Sequence, residues 1–108
     1  MFTKYNSYEL LELFESEPIE ENGIDTGIFI YSKIDSSLIK CVLTLSIYQY
    51  ECILGLSHST TDMVIFETKI NDVKELVCKK DLLIITRKND DNIFIYFKPN
   101  FFIKIEKC

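Results

Sequence analysis

Residues 38–57 read LIKCVLTLSIYQYECILGLS, and the rhythm of this stretch decides the fold. Up to Ile47, the residues Ile39, Cys41, Leu43, Leu45 and Ile47 fall on one side, and Lys40, Val42, Thr44 and Ser46 on the other. Successive side chains of an extended chain point to opposite faces, so a period of two with one apolar and one largely polar face marks a half-buried antiparallel strand. The pattern restarts at Tyr50, with Tyr50, Cys52, Leu54 and Leu56 inward and Glu51, Ile53 and Gly55 opposite. Two such runs joined around Gln49 predict a hairpin.

The same rhythm extends in both directions. Upstream, residues 27–33 alternate Ile28, Ile30 and Ser32 against Phe29 and Tyr31, and Asp35-Ser36-Ser37 is the turn that follows. Downstream, strands are expected over 63–68, 73–78, 82–88, 93–98 and 101–107, separated by the turn-like stretches His58–Asp62, Lys79-Lys80-Asp81, Asn89-Asp90-Asp91-Asn92 and Pro99-Asn100. Short strands at regular spacing predict a mainly β protein of about eight strands, an antiparallel meander folded into a small sandwich or barrel. The one helical signal lies at residues 6–15, where Asn6 is placed to cap, Glu9 follows at capping-box spacing, and Leu10, Leu11, Leu13 and Phe14 cluster at helical spacing. A short strand is the alternative there. Pro18 is expected to end the element, and residues 16–27 to form a loop turning at Asn22-Gly23.

With 108 residues the chain fits a single domain, 1–108, and its 47% hydrophobic content suffices for one core without a metal or a disulfide framework. The four cysteines, Cys41, Cys52, Cys78 and Cys108, form no CxxC pair, so no zinc or redox signature is present. They are expected as reduced, buried thiols, apart from Cys108 at the exposed end; a Cys41–Cys52 disulfide across the hairpin is the alternative. No apolar run is long enough to span a membrane, and the first residues lack the apolar core of a signal peptide, which predicts a cytoplasmic protein.

Charge narrows the function. The net charge of -5 opposes direct nucleic-acid binding, which needs bases to neutralise phosphates. The acids concentrate early: residues 1–35 hold Glu9, Glu12, Glu15, Glu17, Glu20, Glu21, Asp25 and Asp35 against Lys4 and Lys33. This is either a solvated face or a docking surface for a basic protein. Catalytic signals are weak. His58 is the single histidine, and its neighbours Ser57, Ser59, Thr60, Thr61 and Asp62 lie beside it on one loop, whereas a hydrolytic triad is assembled across a fold. The pairs Glu20-Glu21 and Asp90-Asp91 sit in expected turns and not in a cleft, and Gly23, Gly27 and Gly55 form no phosphate loop. The aromatic run Phe94, Tyr96, Phe97, Phe101 and Phe102 reads as core and cross-strand packing, with base stacking as the alternative. Tyr48 and Tyr50, at the hairpin end, are either interface anchors or ordinary packing.

Three segments add a resemblance. YELLELFESEPI (8–19), CVLTLSIYQYECILGL (41–56) and FKPNFFIKIE (97–106) resemble small bacterial immunity proteins, the group that includes contact-dependent growth inhibition immunity proteins. The resemblance implies a cytoplasmic, non-enzymatic β protein that needs no cofactor. It further implies binding to a cognate toxin C-terminal domain, a basic nuclease, and neutralisation by blocking its active site or substrate access. Charge and expected exposure then select Glu15, Glu17, Glu20, Glu21, Asp25, Tyr48 and Tyr50 as the partner-binding residues. A non-catalytic structural or adaptor subunit that associates through a sheet edge is the competing reading.

Overall fold

The computed structural model describes residues 3–20, 26–88, 91–98 and 100–106. The period-two patterning is realised as two antiparallel sheets. The first runs in the order β1 (Ile19–Glu20), β2 (Ile28–Ile34), β3 (Ile39–Ser46), β4 (Glu51–His58) and β5 (Val64–Ile70). The second runs β6 (Val73–Lys79), β7 (Leu82–Arg87), β8 (Asn92–Tyr96) and β9 (Phe102–Glu106). Each sheet is a plain meander, and the two do not close into a barrel, so of the two expected architectures the sandwich is the one adopted.

The hairpin that opened the sequence reading forms the centre of the first sheet. Leu43 of β3 lies between Tyr31 of β2 and Leu54 of β4, and all three side chains are buried. Cys41, Leu45 and Cys52 complete this inner face. From the second sheet come the cross-strand pairs Leu83–Ile95 and Ile85–Ile93, together with Val73 and Leu76. Burying each such side chain stabilises by about 1.5–3 kcal/mol before ordering costs.

Helix α1 (Ser7–Phe14) closes one side of the sandwich against β2 and β6. Asn6 Oδ1 accepts from the backbone N–H of Tyr8 at 3.0 Å and of Glu9 at 3.1 Å, satisfying two of the donors a helix start leaves free. Leu10, Leu13 and Phe14 are buried. The Phe14 ring sits 5.4 Å from Tyr31 of the first sheet and meets Phe97, beside the second, edge-on at 5.1 Å. Phe97 in turn meets Phe101 edge-on at 5.2 Å, a seam of favourable aromatic geometries. The chain before the helix is a second tie. Thr3 N–H donates to Ile47 O (2.9 Å) and its buried hydroxyl to Val73 O (3.1 Å), while Lys4 N–H donates to Lys74 O (3.2 Å) and Leu76 N–H to Lys4 O (2.9 Å). This strap lies parallel to β6 at the Lys4–Glu75 bridge and fastens it to the end of β3.

Several details differ from the sequence reading. The helix ends at Glu15, before Pro18: Glu15 takes the left-handed conformation (φ 57) and its N–H closes on Leu11 O at 2.8 Å. Residues 19–20, expected in a loop, pair with β2, so nine strands form among the described residues where about eight are expected. Leu38 falls in the turn with φ 63, and His58 closes β4 and so leaves the loop. Cys41 faces Leu56 and Cys52 faces Leu45, so the two cysteines are out of register, and both are free thiols. The aromatic run splits: Phe97 and Phe101 belong to the core, while Tyr96 and Phe102 pair at 5.8 Å with Phe102 exposed. The expected turns at Asn22-Gly23 and Asn89-Asp90, the break at Pro99, and Cys108 lie outside the described residues.

Two substitutions test this account. Phe14→Ala, which empties the seam between the sheets, is expected to cost about 3–5 kcal/mol in chemical denaturation, whereas Asn6→Ala, which removes one cap, is expected to cost about 1 kcal/mol.

Candidate partner-binding face

The N-terminal acids are on the surface. Glu9, Glu12, Glu15, Glu17 and Glu20 are all exposed; Glu21 and Asp25 lie outside the described residues. Helical geometry sets the first of these: Tyr8 and Glu12 follow one another at i and i+4 and share the outward face of α1, opposite the buried Leu10, Leu13 and Phe14. Tyr8 is 81% exposed, an aromatic side chain set among carboxylates. Its place on that face follows from the same spacing that marked the helix, although the acids alone drew attention in the sequence.

Glu15 is tied inward. Lys33 of β2 makes an ion pair with it, and the same Nζ donates to Leu13 O at 3.3 Å and lies 5.7 Å from the Phe97 ring centre. The last turn of α1 contains no basic residue of its own, so Lys33 supplies the cation that the helix C-terminus favours. The hydrogen bond from Lys33, and then its charge, lower the Glu15 pKa below the ordinary glutamate value. Glu15 borders a cleft of about 650 Å³ between the helix and the β6–β7 turn, with Glu9 and Glu12 on one wall and Lys79 and Lys80 on the other.

A second group forms around Tyr5. Glu20 on β1 is opposite Phe29 on β2, and the Tyr5 ring lies 6.1 Å from Phe29. The Tyr5 hydroxyl pKa is raised, first by burial and then by the nearby Tyr48 and Glu20. Thus Glu20 and Tyr48, 28 positions apart in the chain, both lie within electrostatic reach of the Tyr5 hydroxyl. Tyr48 is 58% exposed and lies against the backbone of Gly27. A Cβ at Gly27 would stand 2.5 Å from Tyr48 Cδ2, and Gly27 has φ +75, so both space and backbone conformation call for glycine. Ile19, also exposed, points to the opposite face of β1. Tyr5 and Phe29 were not singled out in the sequence, because only the packing of the N-terminal segment against β2 brings them together.

Tyr50 is not part of this group. Its backbone is left-handed (φ 55), its carbonyl accepts from Val73 N–H at 2.8 Å, and Lys88 Nζ lies 4.6 Å over its half-buried ring. It joins the two sheets, with a cation–π contact of about 0.5–2 kcal/mol. Of the expected binding residues, the structure sets Glu20 and Tyr48 near Tyr5, leaves Glu17 exposed between β1 and the helix, holds Glu15 to Lys33, and sets Tyr50 half-buried beneath Lys88.

Reactive chemistry finds little support in the geometry. Thr61 Oγ1 accepts from Met63 N–H at 3.4 Å, Asp62 N–H donates to His58 O at 2.9 Å, and His58 N–H donates to Met63 O at 2.9 Å, so the triad-like residue types build a turn. Burial pushes the thiols of Cys41, Cys52 and Cys78 up to about 12, which keeps them protonated and poorly nucleophilic. Among the described residues no three His, Cys, Asp or Glu are placed to hold a metal ion.

Among solved structures, the fold matches a chain of a contact-dependent growth inhibition toxin–immunity protein complex from Klebsiella pneumoniae 342, with a TM-score of 0.80 and 19% identity over 98% of this chain and 98% of that one. The likeness is one of fold. It extends across both sheets, and it agrees with the resemblance drawn from the three sequence segments. No family model and no curated protein matches the chain.

Two measurements check the site. Glu15 is expected to titrate below the other glutamates in carboxyl-resolved NMR, and Lys33→Met to return it to the ordinary range. Because its folded value is depressed, the stability it contributes is present above the unfolded glutamate pKa and is lost as pH falls through its own midpoint. In a Cys108→Ser variant, no remaining thiol is expected to react promptly with a thiol reagent at pH 8 in the folded state, and all three are expected to react in denaturant.

Proposed function

We propose that this chain is an immunity protein. In this reading it binds the C-terminal toxin domain of a contact-dependent growth inhibition system and neutralises it by covering its active site or the path of its substrate. The observation that carries the reading is the fold likeness over 98% of both chains to a member of a toxin–immunity complex. That complex contains two roles, and the surface of this chain supports the inhibitor: the net charge is -5, the N-terminal acids are exposed, and the residues that tempt a catalytic reading serve turns and core.

The chemistry of the partner follows from the face. A toxin that cleaves nucleic acid must present bases to phosphates. Glu12, Glu17 and Glu20 offer such a surface a complementary field, which speeds encounter, and Tyr8 and Tyr48 offer aromatic contact once docked. An acidic chain laid on the substrate groove of a basic nuclease takes the place of the phosphate backbone. The inhibitor acts where the toxin meets its nucleic acid, in the cytoplasm, and requires no cofactor. No helix among the described residues is long and apolar enough to cross a membrane.

A second reading, a non-catalytic adaptor that associates through a sheet edge, draws on β5, whose outer edge no described strand covers. Co-purification separates the two. The chain is expected to form a stoichiometric complex with the toxin domain encoded beside its gene and to abolish that domain's activity. Absence of a complex at micromolar concentration removes the immunity reading.

Within the complex, the double variant Glu17→Lys/Glu20→Lys is expected to slow association about tenfold and to flatten its dependence on salt, measured by stopped-flow fluorescence. Tyr48→Ala is expected to act on dissociation instead, weakening the complex by about 2 kcal/mol.

A further inference from the structure

The cleft between the helix and the β6–β7 turn is lined by two kinds of charged group. Some are already matched: Lys33 pairs with Glu15, and Lys98 Nζ lies 3.8 Å from Asp81 Oδ1. The others are not. Glu9 and Glu12 stand on the helix side and Lys79 and Lys80 on the turn side, all four exposed, and none of them takes part in an ion pair among the described residues. Buried Leu13 and partly buried Cys78 supply the apolar part of the lining.

The two walls are held apart. The helix is seated by Leu10, Leu13 and Phe14, and the turn is anchored by Asp81, whose carbonyl accepts from Phe97 N–H at 2.9 Å. The space between them, about 650 Å³, is in the range of clefts that accept a bound group. Its lining contains the acids Glu9, Glu12, Glu15 and Asp81 and the bases Lys33, Lys79, Lys80 and Lys98, so it is neutral as a whole. What it presents is a dipole. A purely basic group entering it is met by Glu9 and Glu12 but opposed by Lys79 and Lys80, and a purely acidic group meets the reverse.

Resting on the immunity reading, we propose that this cleft is the specificity determinant of the inhibitor. It receives a segment of the toxin domain that carries both a base and an acid, the base toward Glu9 and Glu12 and the acid toward Lys79 and Lys80. Charge complementarity selects this occupant, because only a group with both signs matches both walls. Position agrees with it: Glu12 lines the cleft and also lies on the outward helix face with Tyr8, so a domain docked on that acidic face borders the cleft. The division of labour is physical. Glu17 and Glu20 attract any basic protein, which sets the rate of encounter but not the choice of partner. The cleft makes the choice. A basic domain with no acid at this place covers Lys79 and Lys80 without giving them a partner, and desolvating an unpaired charge is costly.

The test is the binding kinetics of the full chain with the toxin domain encoded beside its gene, because steering and the dipolar cleft give opposite signs for one variant. Lys79→Glu/Lys80→Glu makes the chain more acidic, so steering alone would tighten its complex with a basic domain. The cleft instead requires faster dissociation and a Kd raised about tenfold or more. Both lysines are exposed at the end of β6 and in the turn after it, so the variant is expected to keep the wild-type fold. A four-site exchange, Glu9→Lys/Glu12→Lys/Lys79→Glu/Lys80→Glu, leaves the net charge unchanged and reverses the dipole, and is expected to lose at least as much affinity. A Lys79→Glu/Lys80→Glu complex as tight as the wild type or tighter overturns the proposal and leaves the immunity reading standing. Absence of any complex with the wild-type chain overturns both.

Discussion

The fold turns on one junction. Phe14, at the last turn of the helix, is held between Tyr31 and Phe97, and Lys33 reaches over the same place to the end of the helix and to Glu15. Neither sheet can bury its inner face alone, and an isolated eight-residue helix is marginal in water. Their mutual burial at this point makes a single cooperative unit of the three. Lys33 is the element that links core and surface, because its ammonium group lies 5.7 Å from the Phe97 ring centre and also pairs with Glu15, lowering that carboxyl's pKa. The helix's acidic outer face is thus positioned by the same contacts that seat its apolar inner face.

That coupling gives the proposed inhibitor a rigid docking surface. Glu20 comes from β1 and Tyr48 from the β3–β4 turn, but both lie near Tyr5, which the strap and the helix start hold in place. Preorganised side chains lose little freedom on binding, so more of the contact energy appears as affinity. The closeness of Tyr48 to the Gly27 backbone serves the same end, since it leaves the ring one side to offer a partner.

Much of the fold was legible because alternation is a local signal. Strands β2, β3, β4, β8 and β9 correspond to runs of period two, β5 to β7 to short runs bounded by turn residues, and Asn6 with Leu10, Leu13 and Phe14 gave the helix from capping and spacing. What escaped is what depends on long-range pairing. Ile19 and Glu20 are extended only because β2 supplies a partner, and nothing in Glu-Pro-Ile-Glu states that by itself. Glu15 ends the helix in a left-handed conformation for which glutamate has no special preference; the anchor is Lys33, 18 positions away. The surface was legible as charge and not as arrangement: the count of acids gave an acidic end, but not that Glu15 would be drawn to Lys33, that Tyr50 would lie beneath Lys88, or that Tyr5 would lie near both Glu20 and Tyr48.

The strap at the chain start has a consequence for the order of assembly. Thr3 donates its hydroxyl to Val73 across 70 positions of sequence, so this side-chain bond can form only after the residues between them have been made. The first sheet, a run of neighbouring hairpins with short closure distances, is free to form before then. The residues around Tyr5 are therefore fixed late, and the surface they brace reaches its final shape only when the second sheet has arrived to receive them.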